Sequence, residues 1–142
     1  MTTLAYKNGF LAADRLVTPD RGLCTKIGRN PNGDIAGICG SLALGQKWMR
    51  AFVSDADELP SLVSVNGKDE HGYALIIRKS TGAVEFMEPD GLVHFEAPFY
   101  AYGSGSHYAL AAMEAGASAK RAVEIAAKYD PTTGPDVEVL RL

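Results

Sequence analysis

Two short alternations of apolar and polar residues open the chain. Thr3 to Lys7 and Phe10 to Asp14 flank Asn8-Gly9, a dipeptide that accepts the positive φ angles of a type I′ turn, so a hairpin is predicted. After a polar stretch over 18–22, a second hairpin is predicted from residues 24–29 and 34–39, turning at Asn32-Gly33. The period then changes. Leu44, Trp48, Ala51 and Phe52 recur at helical spacing behind Gly40-Ser41, and the pattern fades into Asp55, Asp57 and Glu58 before Pro60 stops it. A surface loop over 66–72 leads to a meander over 73–79, 83–87 and 92–95, with turns at Thr81-Gly82 and Asp90-Gly91 and another short strand over 99–102. Gly103-Ser104-Gly105-Ser106 opens a helix carrying Tyr108, Leu110, Ala111 and Met113, which Gly116 ends. Ser118 caps a further helix reaching Tyr129, and Val137, Val139, Leu140 and Leu142 close the chain as a strand. Strands, helix, strands, two helices and strand, without repeats or linkers, fit a two-sheet core faced by helices better than a parallel βαβ arrangement.

At 142 residues with 46% hydrophobic and 22% charged residues, the chain is expected to form one domain, 1–142, with an ordinary core. A formal charge of −3 with scattered Lys and Arg offers no nucleic-acid footprint. The longest apolar runs fall far short of the roughly 20 residues that span a bilayer, and no signal peptide is recognised, so a cytoplasmic protein without membrane or nucleic-acid partners is expected. Cys24 and Cys39 lack a CxxC or His pattern and read as reduced core or pocket residues, with a disulfide between them as the alternative. His71, His94 and His107 have no metal-ligand spacing, so neither metal nor cofactor is expected.

The candidate chemistry starts at Met1-Thr2-Thr3. A small second residue favours removal of Met1, which would leave Thr2 with a hydroxyl and an amine on one residue. An α-amino pKa of about 7.7–8.0 suits that amine to take the hydroxyl proton. Thr2 through Asp14, Thr25-Lys26-Ile27, Ile35-Ala36-Gly37-Ile38-Cys39-Gly40, Gly103-Ser104-Gly105 and Tyr129 through Gly134 then follow in order. Singly each has a bland reading: a surface ion pair, a strand glycine under close packing, a serine N-cap or phosphate cradle, an Asp-Pro turn. As a set they resemble mature proteasome β subunits and bacterial HslV, over the whole chain. The opening hairpin is shorter than HslV's by the same even number of residues on each side of its turn, a trimming expected to keep Thr2 across from Asp14 on one face.

The resemblance implies an α+β fold of the Ntn-hydrolase type, a four-layer αββα sandwich of two mainly antiparallel sheets with one helix missing on one side. It implies a threonine peptidase. Thr2 would be the nucleophile, Lys26 held by Asp14 would lower the hydroxyl pKa, and Gly37 would donate its amide to the oxyanion. Ser104, Asp130 and Thr133, the last where the family carries Ser, would orient the amine. Peptide or unfolded-protein substrates, a ring-forming homo-oligomer and an ATPase regulator belong to the same resemblance, although a missing helix alters the contacts that build rings. Val17, Cys24, Gly28, Ile35 and Cys39, apolar or small, are expected to line the substrate pocket and favour a hydrophobic side chain before the cut. A small-molecule amidase of the Ntn class and a catalytically silent assembly protein with Met1 retained are the alternatives.

Overall fold

The computed structural model describes residues 2–18, 22–67 and 69–142. Met1 and part of the expected polar stretch over 18–22 therefore lie outside the described residues. In chain order come β1 (Thr3–Lys7), β2 (Phe10–Asp14), β3 (Leu16–Val17), β4 (Gly22–Leu23), β5 (Ile27–Arg29), β6 (Ile35–Gly40) and α1 (Leu42–Val53). There follow β7 (Gly72–Ile77), β8 (Val84–Glu88), β9 (Gly91–His94), β10 (Tyr100–Gly103), α2 (Ser106–Glu114), α3 (Ala119–Tyr129) and β11 (Val137–Arg141). One antiparallel sheet runs β10-β1-β2-β11 and a second runs β5-β6-β7-β8-β9, while β3 and β4 form a small ribbon.

Alternation along the strands sorts the core into three clusters. Leu4, Leu11, Ile35, Leu75 and Ile77 fill the space between the two sheets. On the other face of the first sheet, Ala5 and Ala12 meet Ala109, Met113, Ala122, Val123 and Ala126 of α2 and α3, where small side chains let the helices sit close. On the other face of the second sheet, Ala36, Ile38, Ala74 and Ile76 meet Trp48, Met49 and Phe52 of α1. The fold is thus mixed, with two antiparallel sheets and, among the described residues, three helices. Among the described residues no helix follows α1 before β7; Leu62, from the intervening segment, packs into the α1 cluster instead.

The first hairpin turns at Asn8 (φ 52°) and Gly9 (φ 82°) as the sequence predicts. Its register runs from Lys7 with Phe10 back to Leu4 with Ala13, so the next step sets Thr3 opposite Asp14, whose carboxylate accepts the Thr3 N–H. The expected pairing of Thr2 with Asp14 is therefore off by one residue, and the structure corrects it. The second hairpin also differs. Its loop spans residues 30–34, because the Asn30 carboxamide oxygen accepts the N–H groups of Asn32 and Asp34 and organises a longer turn than Asn32-Gly33 alone. Its first strand begins at Ile27, not at Cys24. The Cys24 N–H donates to the Arg15 carbonyl and the Lys26 N–H to Glu138 Oε1 at 2.5 Å, so these amides bond toward the first sheet while the Lys26 carbonyl still accepts from Ile38 of β6.

Candidate active site

Asp14 ends β2 and Lys26 precedes β5, so each comes from a different sheet. Both are buried, at 0% and 1% exposure, and their charged groups meet at 3.2–3.3 Å. Two bare charges would be costly there, since removing ions from water costs several kcal/mol each (order of magnitude). The surroundings offset that cost. Asp14 also accepts the N–H groups of Thr3 (2.8 Å), Leu16 (3.1 Å) and Gly134 (3.1 Å), and Lys26 Nζ donates to the Leu16 carbonyl at 2.7 Å. The Thr3 N–H belongs to the peptide joining Thr2 to Thr3. The carboxylate therefore grips the start of the chain through its backbone.

A second polar cluster holds the same segment. The Gly105 N–H donates to Thr3 Oγ1 at 2.9 Å, and Thr3 Oγ1 lies 2.6 Å from Thr133 Oγ1. Thr133 donates to Asp130 Oδ2 at 2.5 Å, which leaves Thr3 as the donor to Thr133. Ser104 Oγ donates to the same carboxylate oxygen at 2.6 Å, and Thr132 Oγ1 sits 2.9 Å from both Ser104 Oγ and Asp130 Oδ1. Burial alone would raise the Asp130 pKa. The hydrogen bonds from Ser104, Thr133 and Thr132 outweigh it and bring the group down to about 2. The Ser104 N–H donates to the Thr2 carbonyl at 2.9 Å. Gly103, at φ 96°, makes that approach possible: a Cβ there would lie 1.7 Å from the Thr2 oxygen.

Of the seven residues expected to act in catalysis, Asp14 and Lys26 thus form one cluster, Ser104, Asp130 and Thr133 another, and Thr2 emerges between them. Gly37 is the exception. Ile38 donates to the Lys26 carbonyl and Ser41 to the His71 carbonyl, so along β6 the even positions bond toward β5 and the odd ones toward β7. The Gly37 N–H is consequently spent on its partner Leu75, and its Cα packs against Leu4 in the core. Gly40 has the free geometry instead. The alternation turns its N–H toward the β5 side, where that strand has ended, and it borders the same cavity as Thr2. At φ 78° a Cβ on Gly40 would lie 2.3 Å from the His71 oxygen, so only glycine fits.

That cavity, about 310 Å³, is bordered by Thr2, Gly40, Gly103 and Ser104 on one side. Tyr73, Phe86 and Tyr102 wall it, with Cys39 and Glu70 completing the lining. The five residues expected to shape a pocket separate here. Cys39 lines the cavity, and burial, reinforced by the Glu70 charge, pushes its thiol up to about 12 and keeps it neutral. Ile35 is fully buried between the sheets, and the open side of Gly28 faces Met49 and Val53 of α1. Val17 sits half-buried in the β3–β4 ribbon, and Cys24 lies near Lys26, outside the cavity lining. Thr3, Thr132 and Gly40 were not anticipated as site residues. Counting back from the Asn8-Gly9 turn would have found Thr3, whereas Gly40 needed knowledge of where β5 stops. Among the described residues no cluster of His, Cys, Asp and Glu has metal-binding geometry, and no helix is long and apolar enough to cross a membrane.

No family model matches the chain, and no curated protein matches it. Solved structures do. Thiobacillus denitrificans BPH in complex with epoxomicin superposes with a TM-score of 0.68 at 25% identity, covering 99% of this chain and 97% of that one. A second structure of the same BPH gives 0.68 at 24% identity, covering 99% and 96%. The eukaryotic HslV of Trypanosoma brucei gives 0.64 at 22% identity over the whole of both chains. The architecture is therefore HslV-like.

Two stability measurements follow from the clusters. Replacing Asp14 by Ala removes the carboxylate that neutralises a buried ammonium and accepts from three amides, and is expected to cost about 3–5 kcal/mol in urea unfolding followed by Trp48 fluorescence. Asp130 has a folded-state pKa of about 2, below its ordinary 3.8. Its stabilisation is therefore full above about pH 5 and is lost as the pH falls toward 2. Asp130→Asn is expected to flatten that part of the acid-unfolding profile.

Proposed function

We propose that the chain is an N-terminal-threonine hydrolase that cleaves peptide bonds on an Ntn-hydrolase-type αββα sandwich, acting once Met1 is removed. The observation that carries this reading is the clamping of the Thr2–Thr3 segment between two buried polar clusters, Asp14–Lys26 and Ser104–Asp130–Thr133. A carbonyl-to-amide grip on Thr2 and a carboxylate on its peptide fix the residue whose hydroxyl and amine would react. Structural likeness to HslV and to a BPH that was solved with epoxomicin supports the same reading.

The chemistry is acyl transfer. Thr2 Oγ1 attacks the peptide carbonyl while the α-amine of Thr2 takes its proton. The Lys26 ammonium, oriented by Asp14, lowers the hydroxyl pKa through space. Charge then develops on the carbonyl oxygen, and the Gly40 N–H, in place of Gly37, is the preorganised donor that receives it. Collapse of the tetrahedral species breaks the C–N bond, and the α-ammonium returns the proton to the leaving amine. Water, deprotonated by the same amine, hydrolyses the acyl ester and restores Thr2. Ser104, Asp130 and Thr133 hold the amine side of the site in one hydrogen-bonded arrangement. Peptide or unfolded-protein substrates and a homo-oligomeric assembly belong to this reading.

Internally quenched peptides and a panel of small amides, offered to Met-processed protein, check the proposal. Peptide cleavage is expected, with Thr2→Ala lowering kcat on the order of 10³-fold or more and Thr2→Ser retaining part of it. Hydrolysis of small amides alone would reassign the substrate class. Peptide hydrolysis unaffected by Thr2→Ala would overturn the mechanism.

A further inference from the structure

Of the five residues expected to shape the substrate pocket, Cys39 lines the cavity beside Thr2, and Val17, Cys24, Gly28 and Ile35 do not. What does line it has a different chemistry. Phe86 and Tyr102 stack with centroids 3.8 Å apart and planes 10° apart, and Tyr73 continues the row at 5.9 Å and 6°. They give the cavity an apolar wall built from the neighbouring strands β7 and β8 of one sheet and from β10 of the other. Burial pushes the Tyr102 phenol up to about 12, and the Cys39 thiol is likewise neutral. The carboxylate in the lining is that of Glu70, exposed at the solvent edge yet close enough for its charge to act on Cys39. Among the described residues no ion pair forms with the Glu70 carboxylate.

An apolar well with one negative charge at its wet edge discriminates among side chains. An acidic residue is repelled. A neutral aromatic fills the well but covers part of a carboxylate without compensating it, which costs free energy. A long basic side chain meets both demands, because its methylene stem lies along apolar surface while its charged head stays at the rim. We infer that the cavity walled by Tyr73, Phe86 and Tyr102 is a specificity subsite for an Arg or Lys side chain adjacent to the scissile bond, with Glu70 as the residue that selects it. The inference rests on the proposed hydrolase reading, since Thr2 and Gly40 border the same cavity. At about 310 Å³ the space is at the small end of ligand pockets, roughly 300–1,000 Å³, which suits a single side chain.

The test uses Met-processed protein and quenched peptides that differ only in carrying Arg, Phe or Glu on either side of the cut. The expected order of kcat/KM is Arg above Phe above Glu. Glu70→Gln, a change at an exposed position, is expected to lower the Arg-to-Phe ratio about fivefold, the scale of a partly screened ion pair. An unchanged ratio alongside Thr2-dependent cleavage overturns the subsite and leaves the hydrolase standing. Cleavage that survives Thr2→Ala overturns the hydrolase reading instead. If no peptide is cleaved, titration with N-acetyl-argininamide and N-acetyl-glutamylamide, followed by NMR shifts of the Gly40 and Gly103 amides, still decides the subsite. Arginine-selective binding that weakens in Glu70→Gln supports it, and equal response to both amides refutes it.

Discussion

Everything at the open end of this molecule is organised around one buried ion pair. Asp14 belongs to one sheet and Lys26 to the approach of the other, and together they join the sheets where the chain begins. Such a pair is weak evidence of stability, since desolvation can cancel its Coulomb gain. Here every partner of the pair has a positional consequence. The Thr3 amide fixes the first strand, the Leu16 and Gly134 amides fix the turns on either side, and Glu138 pins the Lys26 backbone from β11. The ion pair thereby grips the peptide that joins Thr2 to Thr3, and the Lys26 backbone bridges the sheets, its N–H donating to Glu138 of β11 and its carbonyl accepting from Ile38 of β6.

The second cluster acts on the other side of the same segment and has a built-in direction. Protons run from the Gly105 amide through Thr3 and Thr133 to Asp130, and Ser104 feeds the same carboxylate. Because Asp130 is held ionised, the Thr133 and Ser104 hydroxyls donate to it, which leaves the Thr3 hydroxyl to donate to Thr133. Ser104 then presents its backbone N–H to Thr2, which Gly103 permits by its left-handed backbone. The rigid scaffold of two sheets and Ala-lined helix contacts thus leaves little freedom at the residue proposed to react.

Much of this was legible in the sequence, and the misses share a cause. Turn chemistry at Asn8-Gly9, helical spacing through Trp48, and the ordered set from Thr2 to Thr133 located the strands, helices and polar clusters. Alternation tells which face a side chain occupies, but not which edge an N–H addresses. That edge depends on the neighbouring strand and where it stops, so sequence alone does not distinguish Gly37, whose amide is spent on Leu75, from Gly40, whose amide faces the end of β5. The same blindness placed Ile35 and Gly28 at a pocket, when one faces the inter-sheet core and the other faces α1. Asp14 was matched with Thr2 although the turn pairs it with Thr3, an offset the residue count alone would have revealed. Glu70 lies in a stretch without periodicity, and only the folded chain brings it to the cavity.

The central claim is that a free threonine amine and its own hydroxyl react together at Thr2. Intact-mass spectrometry after incubation with epoxomicin tests it most directly, because an epoxyketone needs both groups of one terminal residue. The account predicts a protein lighter by Met1 that gains one inhibitor mass, located on the N-terminal peptide and absent in Thr2→Ala. Full Met1 retention in the native host, or a processed protein that gains no mass, would contradict it.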